Sequence, residues 1–358
     1  MSKAIHFGII GGGWRAEFYL RIARALPDRF VLDGMVMRNP AKAEAMRARW
    51  QVPVYASLDE LYRAAQPEFI VTCVAWEPNP ELIEELAAKG IAVLSETPPA
   101  PDLERLIKLA ALARAGARIQ VAEQYIYQPH HAARLAVVTS GLLGTVDEAQ
   151  VSVCHGYHGM SLIRHFLGVG YENARITAMC HDAPLIGGPG RDGPPTTEQR
   201  TVSSQVIAWL DFGDKLGIYD FTGDQYFSWV RAQRLLLRGE RGELTDLQVS
   251  YLQDFCTSQR FALQREVAGA EGNLEGNYLK GYSGNGTWYY RNPFVPGVLT
   301  DEEIAIATVL DKMGNYVRTG KDEPYPLEQA CQDRYLDLMI EQALSTGAPV
   351  TTETQPWA

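Results

Sequence analysis

Cysteine is scarce in this chain and shows no pairing pattern. The 358 residues hold five, Cys73, Cys154, Cys180, Cys256 and Cys331, an odd number with no C-x-x-C pair. That scatter argues against a disulfide framework and a structural zinc site, and fits a reducing compartment. Long apolar runs are also missing. None approaches the roughly 20 residues that cross a bilayer. The stretch Met1–Phe7 enters a strand-like run without the apolar segment and cleavage site of a leader. The expectation is a cytoplasmic protein with no membrane partner. Positive charge is in deficit, with 33 Lys and Arg against 43 Asp and Glu, a net charge of −10. An acidic surface repels phosphate backbones, so nucleic acid is not an expected partner. There is no internal repeat and no low-complexity linker. Apolar content is ordinary, at 46% hydrophobic against 21% charged residues, which excludes a disordered chain. The length asks for two domains.

The first third alternates strand and helix signals. Short apolar runs at Ile5–Ile10, Phe30–Val36, Phe69–Val74, Ile91–Leu94 and Ile119–Ala122 are separated by amphipathic or helix-forming stretches. Buried strands spaced by helices predict a parallel sheet covered on both faces. After about Tyr125 the pattern changes. One helix, Pro129–Ser140, leads into strand-like runs at Val146–Cys154, Ala174–Met179, Val202–Phe212, Leu216–Phe221, Val230–Arg238, Leu244–Val249 and Phe261–Val267, with a short helix at Ile163–Leu167. Their alternation predicts an antiparallel sheet with one solvated face. Helices return at Asp301–Arg318 and Leu327–Ser345. The pattern predicts α/β over 1–125, then α+β over 126–358 with a mostly antiparallel sheet. The last helices are expected to pack back on the first domain or on the sheet.

The sharpest local signal is Gly11-Gly12-Gly13-Trp14-Arg15-Ala16, between a strand and a helix. It fits G-x-G-x-x-G/A. Gly11 suits a tight turn, Gly13 backbone approach to a pyrophosphate, and Ala16 close packing of helix on strand. The helix N-terminus then faces the anion. A plain turn is the competing reading, and placement on the first strand of a β-α-β unit favours dinucleotide binding. The second strand ends in Met37-Arg38-Asn39-Pro40-Ala41-Lys42, with no carboxylate for an adenosine ribose. Arg38 and Lys42 suit a 2′-phosphate, a slight lean to NADP over NAD. Arg38 stacked on the adenine is the alternative.

These motifs, with Gly90-Ile91-Ala92-Val93-Leu94-Ser95-Glu96-Thr97-Pro98 and the Gln124–Gly144 stretch, resemble the Gfo/Idh/MocA family of nicotinamide-dependent oxidoreductases. The resemblance implies hydride transfer between the nicotinamide of NAD(P) and a hydroxyl-bearing carbon of a sugar, glycoside or cyclitol. It also implies an α/β fold with a Rossmann dinucleotide-binding domain over 1–125, an α+β domain over 126–358 with a large, mostly antiparallel open sheet, and a homo-oligomer, dimer or tetramer, through that sheet. Cofactor contacts are expected from Gly11, Gly13, Trp14, Arg15, Arg38, Trp76, Glu96, Thr97, Pro98 and Gln124. The family's E-K-P lysine is Thr97 here. Its D-x-G-x-H-x-x-D motif reads Cys154-His155-Gly156-Tyr157-His158-Gly159-Met160-Ser161, without either carboxylate. Its P-N-x-x-H stretch reads Ala75-Trp76-Glu77-Pro78-Asn79.

Acid–base chemistry must then come from elsewhere. His158 keeps the family's place and titrates near neutrality. Tyr125, Tyr127, His155 and Tyr157 are candidates for a second group, against structural roles for each. Loss of the lysine also points to the family's NAD-dependent glycosidases, which oxidise a sugar transiently and eliminate the aglycone. A third reading is a nucleotide- or sugar-binding protein that has lost catalysis. Cys154, His155 and His158 lack a fourth ligand, so no metal is expected. Of His130 and His131 at most one faces a site. The Gly281–Asn292 stretch reads as a sugar-binding loop or a packed surface loop. Trp76 and Trp229 carry the sugar argument more weakly. Asp301-Glu302-Glu303 reads as a helix cap.

Overall fold

In the computed structural model, residues 3–269 and 278–358 are described; Met1 and Ser2 of the N-terminal stretch lie outside them. The first part runs β1 (Ile5–Ile10), α1 (Ala16–Ala25), β2 (Phe30–Val36), α2 (Pro40–Trp50), β3 (Val54–Tyr55), α3 (Leu58–Ala64), β4 (Phe69–Thr72), α4 (Asn79–Ala88), β5 (Val93–Ser95), α5 (Leu103–Arg114) and β6 (Ile119–Val121). The six strands form one parallel sheet in the order β3-β2-β1-β4-β5-β6. Its strands are near-continuous apolar runs because helices cover both faces. The two-residue β3 was too short to leave a signal.

A 3₁₀ turn at Tyr125–Tyr127 leads to α6 (Pro129–Thr139), β7 (Val146–Ser152), α7 (Gly156–Leu167), β8 (Arg175–Ile186), β9 (Arg200–Asp211), β10 (Leu216–Phe221), β11 (Arg234–Gly239), β12 (Gly242–Thr245), β13 (Gln248–Leu252), β14 (Ser258–Ala262), β15 (Gln264–Ala268), β16 (Tyr278–Gly284), β17 (Thr287–Arg291), α8 (Asp301–Thr319), α9 (Leu327–Thr346) and β18 (Val350–Thr351). Nine of these strands make an open sheet, β14-β13-β12-β11-β7-β10-β9-β8-β18. It is antiparallel except for β10 against β7. Strands β15, β16 and β17 form a separate antiparallel sheet.

Three strand expectations are corrected. The Leu244–Val249 run is a hairpin that turns at Asp246-Leu247, since Asp246 adopts φ +53° and Thr245 pairs with Gln248. The Phe261–Val267 run is two strands in two sheets, parted at Leu263. Alternation continues through the break, so periodicity could not reveal it. The Val230–Arg238 run begins only at Arg234, and Trp229 and Val230 stand exposed. The Gly281–Asn292 loop is likewise corrected: it is the β16–β17 hairpin, closed by Asn285-Gly286, both at positive φ. That Asn-Gly pair is the standard two-residue hairpin signal.

The last helices return to the first sheet. α8 packs on α1 and β1, and α9 on α5, β6 and α7. α7 lies between the large sheet and α9, against β7 and β10. One continuous apolar core therefore runs beneath both sheets.

Candidate active site

The chain leaves β1 at Ile10 and turns at once into α1. Gly11 sits at φ +107°, and a Cβ there would lie 2.1 Å from the Cys73 carbonyl oxygen, so only glycine fits the turn. A Cβ on Gly13 would meet nothing within 4 Å, so that glycine faces open space. The N–H groups of Gly12, Gly13, Trp14 and Arg15 have no backbone acceptor among the described residues. Such a row of donors at a helix start is an anion cradle. The residues present therefore fit a dinucleotide pyrophosphate.

From this loop a cleft of about 1010 Å³ runs past Arg38 and Asn39 to Glu96, Thr97, His155 and His158. Glu96 and Thr97 follow β5 at the carboxyl edge of the parallel sheet. His155 and His158 begin α7, so both parts of the chain build the wall. Arg15, expected among the cofactor contacts, also lines this cleft. Its guanidinium is paired with two carboxylates: Nε lies 3.5 Å from Glu96 Oε2, and Nη1 donates to Glu302 Oε1 at 2.7 Å. Tyr19 Oη also donates to Glu96, at 2.5 Å. Burial holds the Glu96 carboxyl above its ordinary pKa, with Arg15 opposing.

His158 is buried at the cleft floor, 2% exposed. Its Nδ1 is 2.5 Å from Glu123 Oε2, and its Nε2 is 3.5 Å from Thr97 Oγ1. The other Glu123 oxygen accepts the Tyr125 N–H at 3.1 Å. Burial, reinforced by the Asp333 charge, pushes the Glu123 carboxyl well up. Burial, then Arg15, pulls His158 down to about 3. These directions assign the carboxyl proton to Glu123, donated to Nδ1, with Nε2–H turned toward Thr97. The pair then has no net charge and stores one transferable proton.

The other sequence candidates divide. His155 lines the cleft, its Nδ1 2.6 Å from the Tyr226 hydroxyl and its ring 4.7 Å from that of His158. Tyr125 packs 4.4 Å from the His158 ring, buried behind it. Tyr157 is fully buried away from the cleft, and its hydroxyl has no partner among the described residues. Gly11, Gly13, Trp14, Arg38, Glu96 and Thr97 line the cleft. Pro98 and Gln124 do not; Gln124 donates to Glu302 at 3.0 Å. Trp76 is exposed just outside the lining, its indole N–H donating to Glu77. Lys42 is exposed and not part of the lining. Neither His130 nor His131 reaches the cleft, and His131 is buried with its Nδ1 on Arg134. Cys154 is fully buried. Among the described residues no group of three or more His, Cys, Asp or Glu is placed to hold a metal. No described helix is long and apolar enough to cross a membrane.

Sequence reasoning missed Glu123, Glu302 and Tyr226. Glu123 had a usable signal, because it stands just past β6 at the carboxyl edge where open α/β sheets hold their ligands. The helix-cap reading of Asp301-Glu302-Glu303 holds, since all three lie in the first turn of α8 and Glu303 bonds reciprocally with Thr300. Glu302 has a further role beyond it, accepting from Gln128 at 2.7 Å. Ser161, at the last position of the D-x-G-x-H-x-x-D pattern, bonds Tyr325 at 3.1 Å, and Tyr325 donates to the buried Asp333 at 2.5 Å.

The parallel sheet, glycine loop and cleft define an NAD-binding Rossmann fold of the oxidoreductase type. Residues 5–123 match the model of the Gfo/Idh/MocA oxidoreductase family, NAD-binding Rossmann fold. Inositol 2-dehydrogenase of Rhizobium meliloti is 24% identical over 149 residues, 41% of this chain and 44% of that protein. The match thus spans less than half of that relative's length. An NAD-binding oxidoreductase from Klebsiella pneumoniae superposes with a TM-score of 0.69 at 18% identity, over 98% of this chain and all of that one. An oxidoreductase from Agrobacterium radiobacter, solved with NAD+, L-tartaric acid and magnesium, gives 0.68 at 13% identity, over 98% of both chains. The two-part architecture is therefore the fold of these oxidoreductases.

Proposed function

We propose that the chain is an NAD(P)-dependent oxidoreductase acting on a hydroxyl-bearing carbon of a sugar, glycoside or cyclitol. The observation that carries this reading is the His158–Glu123 pair opening on the same cleft as the glycine loop. The dinucleotide would lie on the Gly12–Arg15 amides and past Arg38, and its nicotinamide would exchange hydride with the substrate carbon. His158 Nε2 gives its proton to a carbonyl oxygen in reduction, or takes a hydroxyl proton in oxidation once the pair has lost its extra proton. Glu123 sets the imidazole tautomer and supplies that proton through Nδ1. The Thr97 hydroxyl offers a neutral hydrogen bond where relatives have a lysine. Arg38, with no carboxylate at the end of β2, supports a slight preference for NADP. The division near Tyr125 assigns 1–125 to the cofactor and 126–358 to substrate and oligomer contacts. Exposed Met179, Val202 and Trp209 on β8 and β9 support a homo-oligomer through the open sheet. A cytoplasmic location is part of the same reading.

Thr97 favours one second reading, a glycosidase that oxidises its sugar transiently. Purified protein with NAD or NADP should be assayed against a panel of sugars, cyclitols and nitrophenyl glycosides. Net cofactor reduction is expected. Aglycone release without net reduction would establish the glycosidase instead. Absence of dinucleotide affinity would overturn both and leave a binding protein without this cofactor.

A further inference from the structure

The longest hairpin of the large sheet joins β8 to β9, paired residue by residue out to Ile186 and Arg200. Its tip, residues 187–199, projects beyond the sheet. The tip is braced internally: Gly187 N–H donates to Gln199 O at 2.8 Å, and Gly190 and Gly193 exchange backbone hydrogen bonds at 3.0 and 3.1 Å. It also rests on the chain beside it, where a Cβ on Gly188 would come within 3.3 Å of the Ser228 Cα.

Arg191, at this tip, reaches the opposite half of the molecule. Its guanidinium carbon lies 4.2 Å from the centre of the Trp14 ring. Trp14 belongs to the glycine loop and lines the cleft. Its ring is held edge-on against Phe18, with centroids 4.8 Å apart. A guanidinium stacked on an indole keeps its N–H edge outward, in the fork that matches phosphate oxygens. Among the described residues Arg191 has no ion pair to neutralise it, whereas Arg15 is paired to Glu96 and Glu302.

We propose that Arg191 binds the pyrophosphate of the dinucleotide from across the cleft, so that the β8–β9 hairpin tip clamps the cofactor onto the glycine loop. This rests on the dinucleotide reading above. It adds a phosphate-binding residue from the second half of the chain. The loop amides hold one side of the anion, and the clamp supplies the cation that Arg15 does not.

The test uses the full-length protein and titration with NADH and with adenosine, which lacks the phosphates, at low and at 0.5 M salt. Arg191→Ala should raise the Kd for NADH about tenfold or more, the loss of a charge-assisted contact. It should also flatten the salt dependence of that Kd and leave adenosine affinity unchanged. Arg191→Lys should fall between, since lysine keeps the charge but loses the fork and the stacking. Wild-type affinity and salt dependence in Arg191→Ala would overturn the clamp and leave the dinucleotide reading standing. Equal weakening of NADH and adenosine would also overturn it, because the hairpin would then act on shape alone. If the wild-type protein binds no dinucleotide, the underlying reading fails and the clamp with it.

Discussion

His158 and Glu123 are 35 positions apart in the chain and meet at 2.5 Å, both buried. Burial disfavours charge on either member, so the neutral form of the pair persists to higher pH than an exposed carboxyl would allow. The sign for activity follows. Reduction needs the extra proton and should fall as pH rises through the apparent pKa of the pair; oxidation needs it gone and should rise over the same interval. In Glu123→Gln that shared titration should vanish from kcat/KM–pH profiles, while in His158→Ala turnover should drop by about 10² or more. An unshifted profile in the first variant, or an unchanged rate in the second, would remove the pair from the mechanism. For stability, the Glu123 pKa is raised on folding, so its contribution is complete below about pH 4.5, the ordinary carboxyl value, and is lost as pH climbs through the folded value. Glu123→Gln, which stays neutral, should therefore lose less melting temperature than wild type as pH rises above about 4.5 in a pH series of thermal melts.

At the scale of elements, the first residue of α7 explains how the histidines are aimed. A Cβ on Gly156 would stand 1.7 Å from Asp337 Oδ1. That carboxylate has little room to retreat, because it accepts the Tyr157 N–H and the Arg334 guanidinium and is largely enclosed. Burial raises Asp337 to about 6 against the pull of Arg334. α7 is thus docked on α9 through its own N-terminus, and His155 and His158 take their positions from that contact. Gly156→Ala should destabilise the fold by about 1–3 kcal/mol, the usual result of overpacking, and lower the melting temperature in calorimetry. Gly156 was legible as a match to the family motif. Asp337 was not, because nothing in the sequence of α9 marks which of its carboxylates faces α7.

Across the whole molecule, the acidic net charge hides an internal pairing that ties the two parts together. Arg15 at the start of α1 meets Glu302 at the start of α8, 287 residues later. Glu302 also takes hydrogen bonds from Gln124 and Gln128, where the chain passes from one sheet to the other. Arg21 and Glu303 repeat the arrangement further along the same helices. Both partners of the Arg15–Glu302 pair remain partly exposed, at 22% and 25% for their side chains, which moderates its strength. A double-mutant cycle of Arg15→Ala and Glu302→Ala, read by denaturant unfolding, should give a coupling energy of about 1 kcal/mol. Additive single effects would show that the Arg15–Glu302 pair does not help hold the two helices together.

The sequence by itself determined the alternation of strand and helix, the glycine loop and its turn, the absence of a ribose carboxylate and the place of His158. These are properties of spacing and of single side chains, and spacing survives without a fold. The Asn285-Gly286 hairpin was equally local and open to reading. Only the tertiary structure decided what each charge meets: Glu123 beside His158, Glu302 beside Arg15, Arg191 over Trp14. Electrostatic partners and buried protons depend on distance and on the exclusion of water, and residues 35, 287 and 177 positions apart acquire both only when the chain has closed on itself.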